Sequence, residues 1–309
     1  LDRALPANGG AEAVETALKA ARKWGHKVKG IPADRAEIIV CEGNFHGRSI
    51  TIVGFSSEPQ YRDGFGPFAP GFRQVPYGDA EALARAIGPD TAAFLVEPIQ
   101  GEGGFVVPPA GFLAGLARAC RDAKVLLMCD EIQCGLGRTG RPFYSQALGL
   151  EPDLMAVGKA LGAGVPIAAA LFSERVAKAA AYGDHGSTYG GNLLACRAAL
   201  VFLEELIDRD LISHVASVGA HLERSLRAIA ARQSIVKEVR GAGLIWGLDL
   251  DRPALPVVGA ALDLGLLVNR TADTVVRLLP PFVITESEVD EACALLERAL
   301  GKVAEGKAS

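Results

Sequence analysis

The run Leu154-Met155-Ala156-Val157 stops at Gly158, and Lys159 follows at once. An apolar run this short, closed by glycine, reads as a buried strand, with Gly162, Gly164 and Pro166 in the loop after it. Similar runs lie upstream. Glu37-Ile38-Ile39-Val40-Cys41 leads into Gly43, Ala92-Ala93-Phe94-Leu95-Val96 into Glu97, and Val125-Leu126-Leu127-Met128-Cys129 into Asp130. Helical stretches from Asp79 to Ile87 and from about Gly111 to Asp122 separate them. Alternating strands and helices imply an α/β fold, a mostly parallel sheet flanked by helices. Open sheets of this kind bind ligands at the carboxyl ends of their strands. The polar residues that close the runs are therefore the candidates for chemistry.

Each candidate has an ordinary reading beside its functional one. Asn8-Gly9-Gly10-Ala11-Glu12 opens a helix that fades before Gly25, with Asn8 as its cap. Backbone N–H groups at Gly10 and Ala11 can hold a phosphate, or the glycines are a simple turn. Behind the strand at 37–41, Phe45 can stack on a planar ring, and Arg48 can grip a carboxylate with two hydrogen bonds. The ordinary readings are a core place for Phe45 and a surface ion pair for Arg48, and His46 reads as structural. Residues 57–79 form a long loop rich in Gly, Pro and aromatics. Glu97, Gln100 and Glu102 can orient a ligand or form a charged turn. Asp130 closes a buried strand, and an unpaired buried carboxylate is costly. A cation 4 Å away would contribute about 4 kcal/mol at an effective dielectric near 20. That cation could be a protonated pyridine nitrogen or an arginine such as Arg138. Lys159 taken alone is most often a solvated loop lysine, yet a lysine in that place can also form a Schiff base with a carbonyl compound or with pyridoxal phosphate, PLP. Ile167 to Phe172 reads as a further strand. The hydroxyls of the loop Asp184 to Asn192, Ser187 and Thr188 among them, can bind phosphate or shape the turn.

A long helix from near Asn192 to about Arg209 leads to a domain boundary near residue 205, giving a large domain over 1–204 and a small one over 205–309. The small domain reads as α+β. A helix at about Leu211–Gln233 precedes strands at 235–240 and 244–248, turned by Gly241-Ala242-Gly243. Another helix, strands at 266–269 and from Val275, and a helix opened by the capping box Thr285/Glu288 complete it. With 309 residues, two domains are expected. Net charge is −4 with no long run of one sign, which argues against nucleic-acid or polybasic membrane partners. No apolar run approaches the ~20 residues of a membrane helix, and the start lacks the shape of a signal peptide. Six cysteines without a C-x-x-C pair point to free thiols and a cytoplasmic setting. The five histidines do not cluster with them, so no metal site is expected. No G-x-G-x-x-G follows the first strand, which argues against a nucleotide-binding dehydrogenase.

The candidates converge on PLP. Its phosphate needs N–H donors, its ring an aromatic face, its pyridine nitrogen an acid and its aldehyde an amine. Asp130-Glu131-Ile132-Gln133, followed by Gly158-Lys159, resembles the class III aminotransferases among the fold-type I PLP enzymes, and the likeness runs over essentially the whole chain. Ala13 to Gly25, Lys27 to Gly30 and Asp63 to Phe68 look most like the ornithine aminotransferases of that class. Val275 to Pro281 looks more like its acetylornithine aminotransferases. The resemblance implies that Lys159 carries the cofactor and shuttles a proton, and that Asp130 keeps the pyridine nitrogen protonated. It implies Phe45 and Ile132 on the two ring faces, Gln133 on the ring hydroxyl, and Gly10 and Ala11 on the phosphate. Ser187 and Thr188 would reach the phosphate of a neighbouring subunit, implying a homodimer. Arg277 would bind the α-carboxylate of glutamate or 2-oxoglutarate, Glu102 would pair with Arg277 when the amine donor is bound, and Arg48 would take the carboxylate of ornithine. The implied reaction moves the δ-amine of ornithine to 2-oxoglutarate. N-acetylornithine, another ω-amino acid or an inactive truncated paralogue is the alternative. Gly9 stands where Ser or Thr is frequent in the family, and a segment that normally precedes this start is expected to be missing.

Overall fold

The computed structural model describes residues 1–306, which divide into two compact units. The first holds Leu1–Pro98, Pro108–Leu136 and Phe143–Glu204; the second holds Ile99–Val107, Gly137–Pro142 and Glu205–Ser309.

The first unit is built on a sheet of β1 (Arg3–Ala7), β2 (Glu37–Cys41), β3 (Phe72–Val75), β4 (Thr91–Val96), β5 (Leu126–Asp130), β6 (Leu154–Val157) and β7 (Ala168–Phe172). Their order is β1-β7-β6-β5-β4-β2-β3. The run from β6 to β3 is parallel throughout, while β7 pairs antiparallel with both β6 and β1. The central strands are apolar at nearly every position because both faces are covered. Alternation assigns each residue to a side. Ile38, Val40, Ala93, Leu95, Leu126 and Met128 pack in one cluster with the helix Gly10–Trp24. Ile39, Cys41, Phe94, Val96, Leu127 and Cys129 pack in another with the helix Phe112–Asp122. Each fully buried Leu, Ile, Val or Phe contributes roughly 1.5–3 kcal/mol.

Three details depart from the sequence expectation. The first strand, β1, was hidden because Asp2 and Arg3 give it a polar start. The stretch read as one long loop at 57–79 contains β3 and a short helix, Pro59–Arg62. Only one side of β3 is paired, so the strand carries Arg73 and Gln74 and lacks a continuous apolar run. The helix Gly10–Trp24 is capped by Gly9, and Asn8 instead donates its backbone N–H and its Nδ2 to Glu12 Oε2, at 2.7 and 2.9 Å.

The second unit has an antiparallel sheet in the order β10-β11-β9-β8, from β8 (Val236–Ala242), β9 (Ile245–Leu250), β10 (Asn269–Thr271) and β11 (Val275–Leu278). The helices Leu211–Arg232 and Glu286–Ala304 bury their apolar faces in its core. Thr285 and Glu288 form the reciprocal capping box. Leu266 and Val268, expected in a strand, pack on this core ahead of β10. The strand starts later because Ala272 and Asp273 turn the chain at positive φ, which fixes Thr271 opposite Val275. No helix among the described residues is long and apolar enough to cross a membrane.

Candidate active site

The register of the first sheet places the two anchors at one end. Asp130, the last residue of β5, lies opposite Ala156 of the parallel neighbour β6, and Lys159 follows β6 by two residues. Lys159 opens a single 3₁₀ turn, Lys159–Gly162, with φ at +42°. A non-glycine residue there costs about 1–3 kcal/mol, a strain that clusters at functional sites. Its side chain is exposed and forms no ion pair among the described residues.

Asp130 is buried. Its Oδ1 accepts the backbone N–H of Ile132 at 3.0 Å, and its Oδ2 lies 2.7 Å from His46 Nδ1. The arginine weighed as its partner is elsewhere. Arg138 donates to the carbonyl of Pro280 at 2.5 Å and stacks on Phe282, and burial pushes its pKa down to about 10. The neighbouring Glu131 is fully buried, and its carboxylate accepts from Ser145 N–H (2.6 Å), Tyr144 N–H (3.2 Å) and the Cys134 thiol (3.0 Å). Glu131 is thus committed to the fold.

Ile132 links the strand end to the first helix. A Cβ at Gly10 would stand 3.0 Å from Ile132 Cδ1, and one at Gly158 would stand 3.6 Å from Ile132 Cγ2. The helix start, the acid and the glycine before Lys159 therefore meet at one isoleucine. Gly9 provides no side-chain cap to that helix, leaving its first N–H groups for a ligand. Gly47, at φ +129°, brings the loop after β2 against Ala11, where a Cβ would stand 2.7 Å from the alanine's own. That approach carries in Phe45, which is half-buried, donates its N–H to Glu97 Oε2 at 3.0 Å and meets Tyr61 edge-on at 5.8 Å between centroids. Arg48 is exposed, lies 4.3 Å above the Tyr61 ring and 5.5 Å from that of Phe45, and has no ion pair among the described residues. The surface ion pair weighed for Arg48 is therefore not what the structure shows. Gln133 is half-buried beside Ile132.

Ser187 Oγ accepts from Asn8 Nδ2 at 3.0 Å and from Gly190 N–H at 3.1 Å, which ties its loop to the start of the first helix in the same chain. Thr188 next to it is exposed. His185 fastens the loop further along that helix, with Nε2 2.9 Å from Thr16 Oγ1 and Nδ1 2.9 Å from Lys19 Nζ. The second unit holds the remaining pair: Arg277 Nη1 donates to Glu102 Oε1 at 2.5 Å, and Thr271 donates to the carbonyl of Glu102.

The first unit thus collects Gly10, Ala11, Phe45, Asp130, Ile132 and Lys159, and the second joins Glu102 to Arg277. Two contacts escaped sequence reasoning, His46 on Asp130 and Tyr61 under Arg48. The only signal for the first was a histidine next to the stacking aromatic.

Comparison with known proteins agrees with this geometry. The aminotransferase class-III family model matches residues 1–300. The ornithine aminotransferase of Brevibacillus brevis is 48% identical over 297 residues, spanning 96% of this chain and 74% of that protein. A structure of the ornithine aminotransferase from Toxoplasma gondii, with partial occupancy of PLP at its active site, superposes with a TM-score of 0.96 at 41% identity, covering 100% of this chain and 74% of that one. The acetylornithine aminotransferase from Elizabethkingia anophelis superposes at 0.87 with 39% identity, covering 98% and 76%. A family match over nearly the full sequence, on a strand-end lysine and acid held against one helix start, leaves one assignment: the chain belongs to the class III aminotransferases, fold-type I enzymes.

Proposed function

We propose that this chain is a PLP-dependent aminotransferase that takes the δ-amine of ornithine and delivers it to 2-oxoglutarate, yielding glutamate semialdehyde and glutamate. The observation that carries the reading is the convergence of Gly10, Asp130 and Gly158 on Ile132, with Lys159 the residue that follows Gly158. The residues present fit the cofactor: the uncapped helix start suits a phosphate, Asp130 a ring nitrogen, Phe45 and Ile132 two ring faces, Gln133 a ring hydroxyl and Lys159 an aldehyde. When bound, PLP supplies a carbonyl that condenses with amines and a ring that accepts the electron pair released at the substrate carbon. Asp130 would hold the proton at the ring nitrogen through its carboxylate charge. Lys159 Nζ would hold the cofactor and would take and return a proton as a general acid–base. The choice of donor rests on the identity to ornithine aminotransferases.

Arg48 and Arg277 divide the carboxylates between them. Arg48, stacked and without a protein acid, is assigned the carboxylate of ornithine. Arg277 is assigned that of 2-oxoglutarate, with Glu102 occupying it while the donor is bound. Replacing Arg277 with Ala should raise the KM for 2-oxoglutarate about tenfold or more, the loss typical of a charged hydrogen bond. Replacing Arg48 with Ala should raise the KM for ornithine comparably and leave that for the oxoacid nearly unchanged. Steady-state kinetics with each substrate varied decides it; equal effects on both substrates would refute the division.

The reading extends to a homodimer. Leu193 and Leu194 are 87% and 77% exposed on the helix that follows the Ser187–Thr188 loop, and Leu200 and Val201 are exposed beyond them. Apolar patches of this kind mark protein interfaces. Ser187 and Thr188 would then reach the phosphate held in the second copy. Sedimentation should give twice the mass of the chain, and a monomer would remove that role.

The whole reading is tested by the visible absorption of the chain with PLP. Ornithine should convert the band of the lysine-bound cofactor to that of its amine form, and 2-oxoglutarate should restore it. A band that ignores ornithine and responds to N-acetylornithine would replace the donor.

A further inference from the structure

His46 was read as a structural residue, but its contacts are those of a group that serves Asp130. We propose that His46 is a positioning residue that holds Asp130 by its Nδ1–H, fixing the rotation and the charge of the carboxylate that faces the cofactor. The inference rests on the proposed role of Asp130 at the ring nitrogen.

The two side chains are 1% and 5% exposed, and the 2.7 Å separation lies in the range of charge-assisted hydrogen bonds. With Ile132 N–H on Oδ1 and His46 on Oδ2, both oxygens are tied, so the carboxylate plane cannot turn. The other nitrogen of the ring makes the stronger case. His46 Nε2 is buried and has no hydrogen-bond partner among the described residues. An unsatisfied buried polar atom costs about 1–3 kcal/mol. Packing alone would be served better by a phenylalanine, since the ring already sits among aromatics, 6.0 Å from that of Phe55. A histidine that carries this penalty is explained by what Nδ1 does.

The ionisation of the ring agrees. Burial by itself pulls the imidazole's pKa down, but the hydrogen bond to Asp130 and the charges of Asp130 and Glu97 outweigh it, so the net shift is upward. Glu97 lies on the far side of the same loop, where it accepts the N–H of Phe45. The shift favours the doubly protonated ring, whose Nδ1–H faces the Asp130 carboxylate.

Two variants and one spectrum test this. His46→Phe keeps the volume and removes the donor. His46→Asn places a side-chain amide near the position of Nδ1. Affinity for PLP, measured by equilibrium titration, should fall about tenfold or more in His46→Phe and stay within about threefold of the parent in His46→Asn, the difference being one charged hydrogen bond. A purely structural histidine would show the opposite order, since phenylalanine packs better than asparagine. The unsubstituted full chain, ¹⁵N-labelled at histidine, gives a readout independent of activity and of any variant's folding. One imidazole should carry its proton on Nδ1, with and without PLP, and lose that preference in Asp130→Asn. A neutral Nε2–H tautomer at His46, or unchanged PLP affinity in His46→Phe, would overturn the proposal. If the chain bound no PLP at all, the functional reading would fail, and the nitrogen spectrum would still decide whether His46 holds Asp130.

Discussion

Lys159→Ala should abolish covalent attachment of PLP and reduce transamination by at least ~10²–10⁴-fold, the usual worth of a positioned general base. Lys159 is the residue that leaves β6, and its backbone is held at φ +42° between Gly158 and the 3₁₀ turn. Borohydride reduction followed by peptide mass analysis gives the answer directly. The parent chain should carry the adduct on the peptide containing Lys159, and the variant should carry none. An adduct mapped to another lysine would move the site away from β6 altogether. Alanine keeps the Cβ and so the same backbone strain, and the side chain it loses is exposed, so the fold should change little in stability, which thermal unfolding can verify.

Asp130→Asn should be the next most damaging change. Asparagine keeps the shape and can still accept the N–H of Ile132, but it removes the charge opposite His46, so thermal unfolding is measured beside the kinetics. What disappears is a fixed negative charge in a buried place. Removing one preorganised electrostatic group of this kind costs about 10²–10³ in kcat. The loss should fall on kcat far more than on the KM of either substrate, because Asp130 is assigned to the cofactor and neither substrate carboxylate. A change of only a few-fold would mean that Asp130 serves the fold and that His46 is merely its buried counter-ion.

What the sequence could reveal of this site follows from how strands end. Asp130 and Lys159 were legible because each terminates an apolar run, and in a parallel sheet such ends share one edge. The pairing of His46 with Asp130 was not legible, because the two residues are 84 positions apart and nothing in the sequence fixes the distance between two loops. Arg48 over Tyr61 is the same case, since Tyr61 lies in a stretch that read as one long loop with no element to place it. In the fold, strands that carry one face of a core announced themselves. Those at the margins did not: β1 opens on polar residues, β3 is paired on one side only, and the start of β10 is set by a turn rather than by its own hydrophobicity.

The division into units bears on the order of synthesis. The chain passes between the two units five times, because Ile99–Val107 and Gly137–Pro142 belong to the second although they leave the ribosome with the first. Their partners arrive late. The carbonyl of Gly104 accepts from Arg240, that of Glu102 from Thr271, and Arg138 donates to Pro280. At ~5–20 residues per second, the stretch from Glu205 onward takes about 5–20 s to emerge. For that time a nascent chain that has finished its first sheet carries two segments with nowhere to settle. Both are short and rich in glycine, with Gly101, Gly103 and Gly104 in one and Gly137 and Gly140 in the other. The first nonetheless carries Ile99 and Phe105, both fully buried in the finished fold, so until the rest of the second unit arrives it exposes apolar surface that a wrong partner can take.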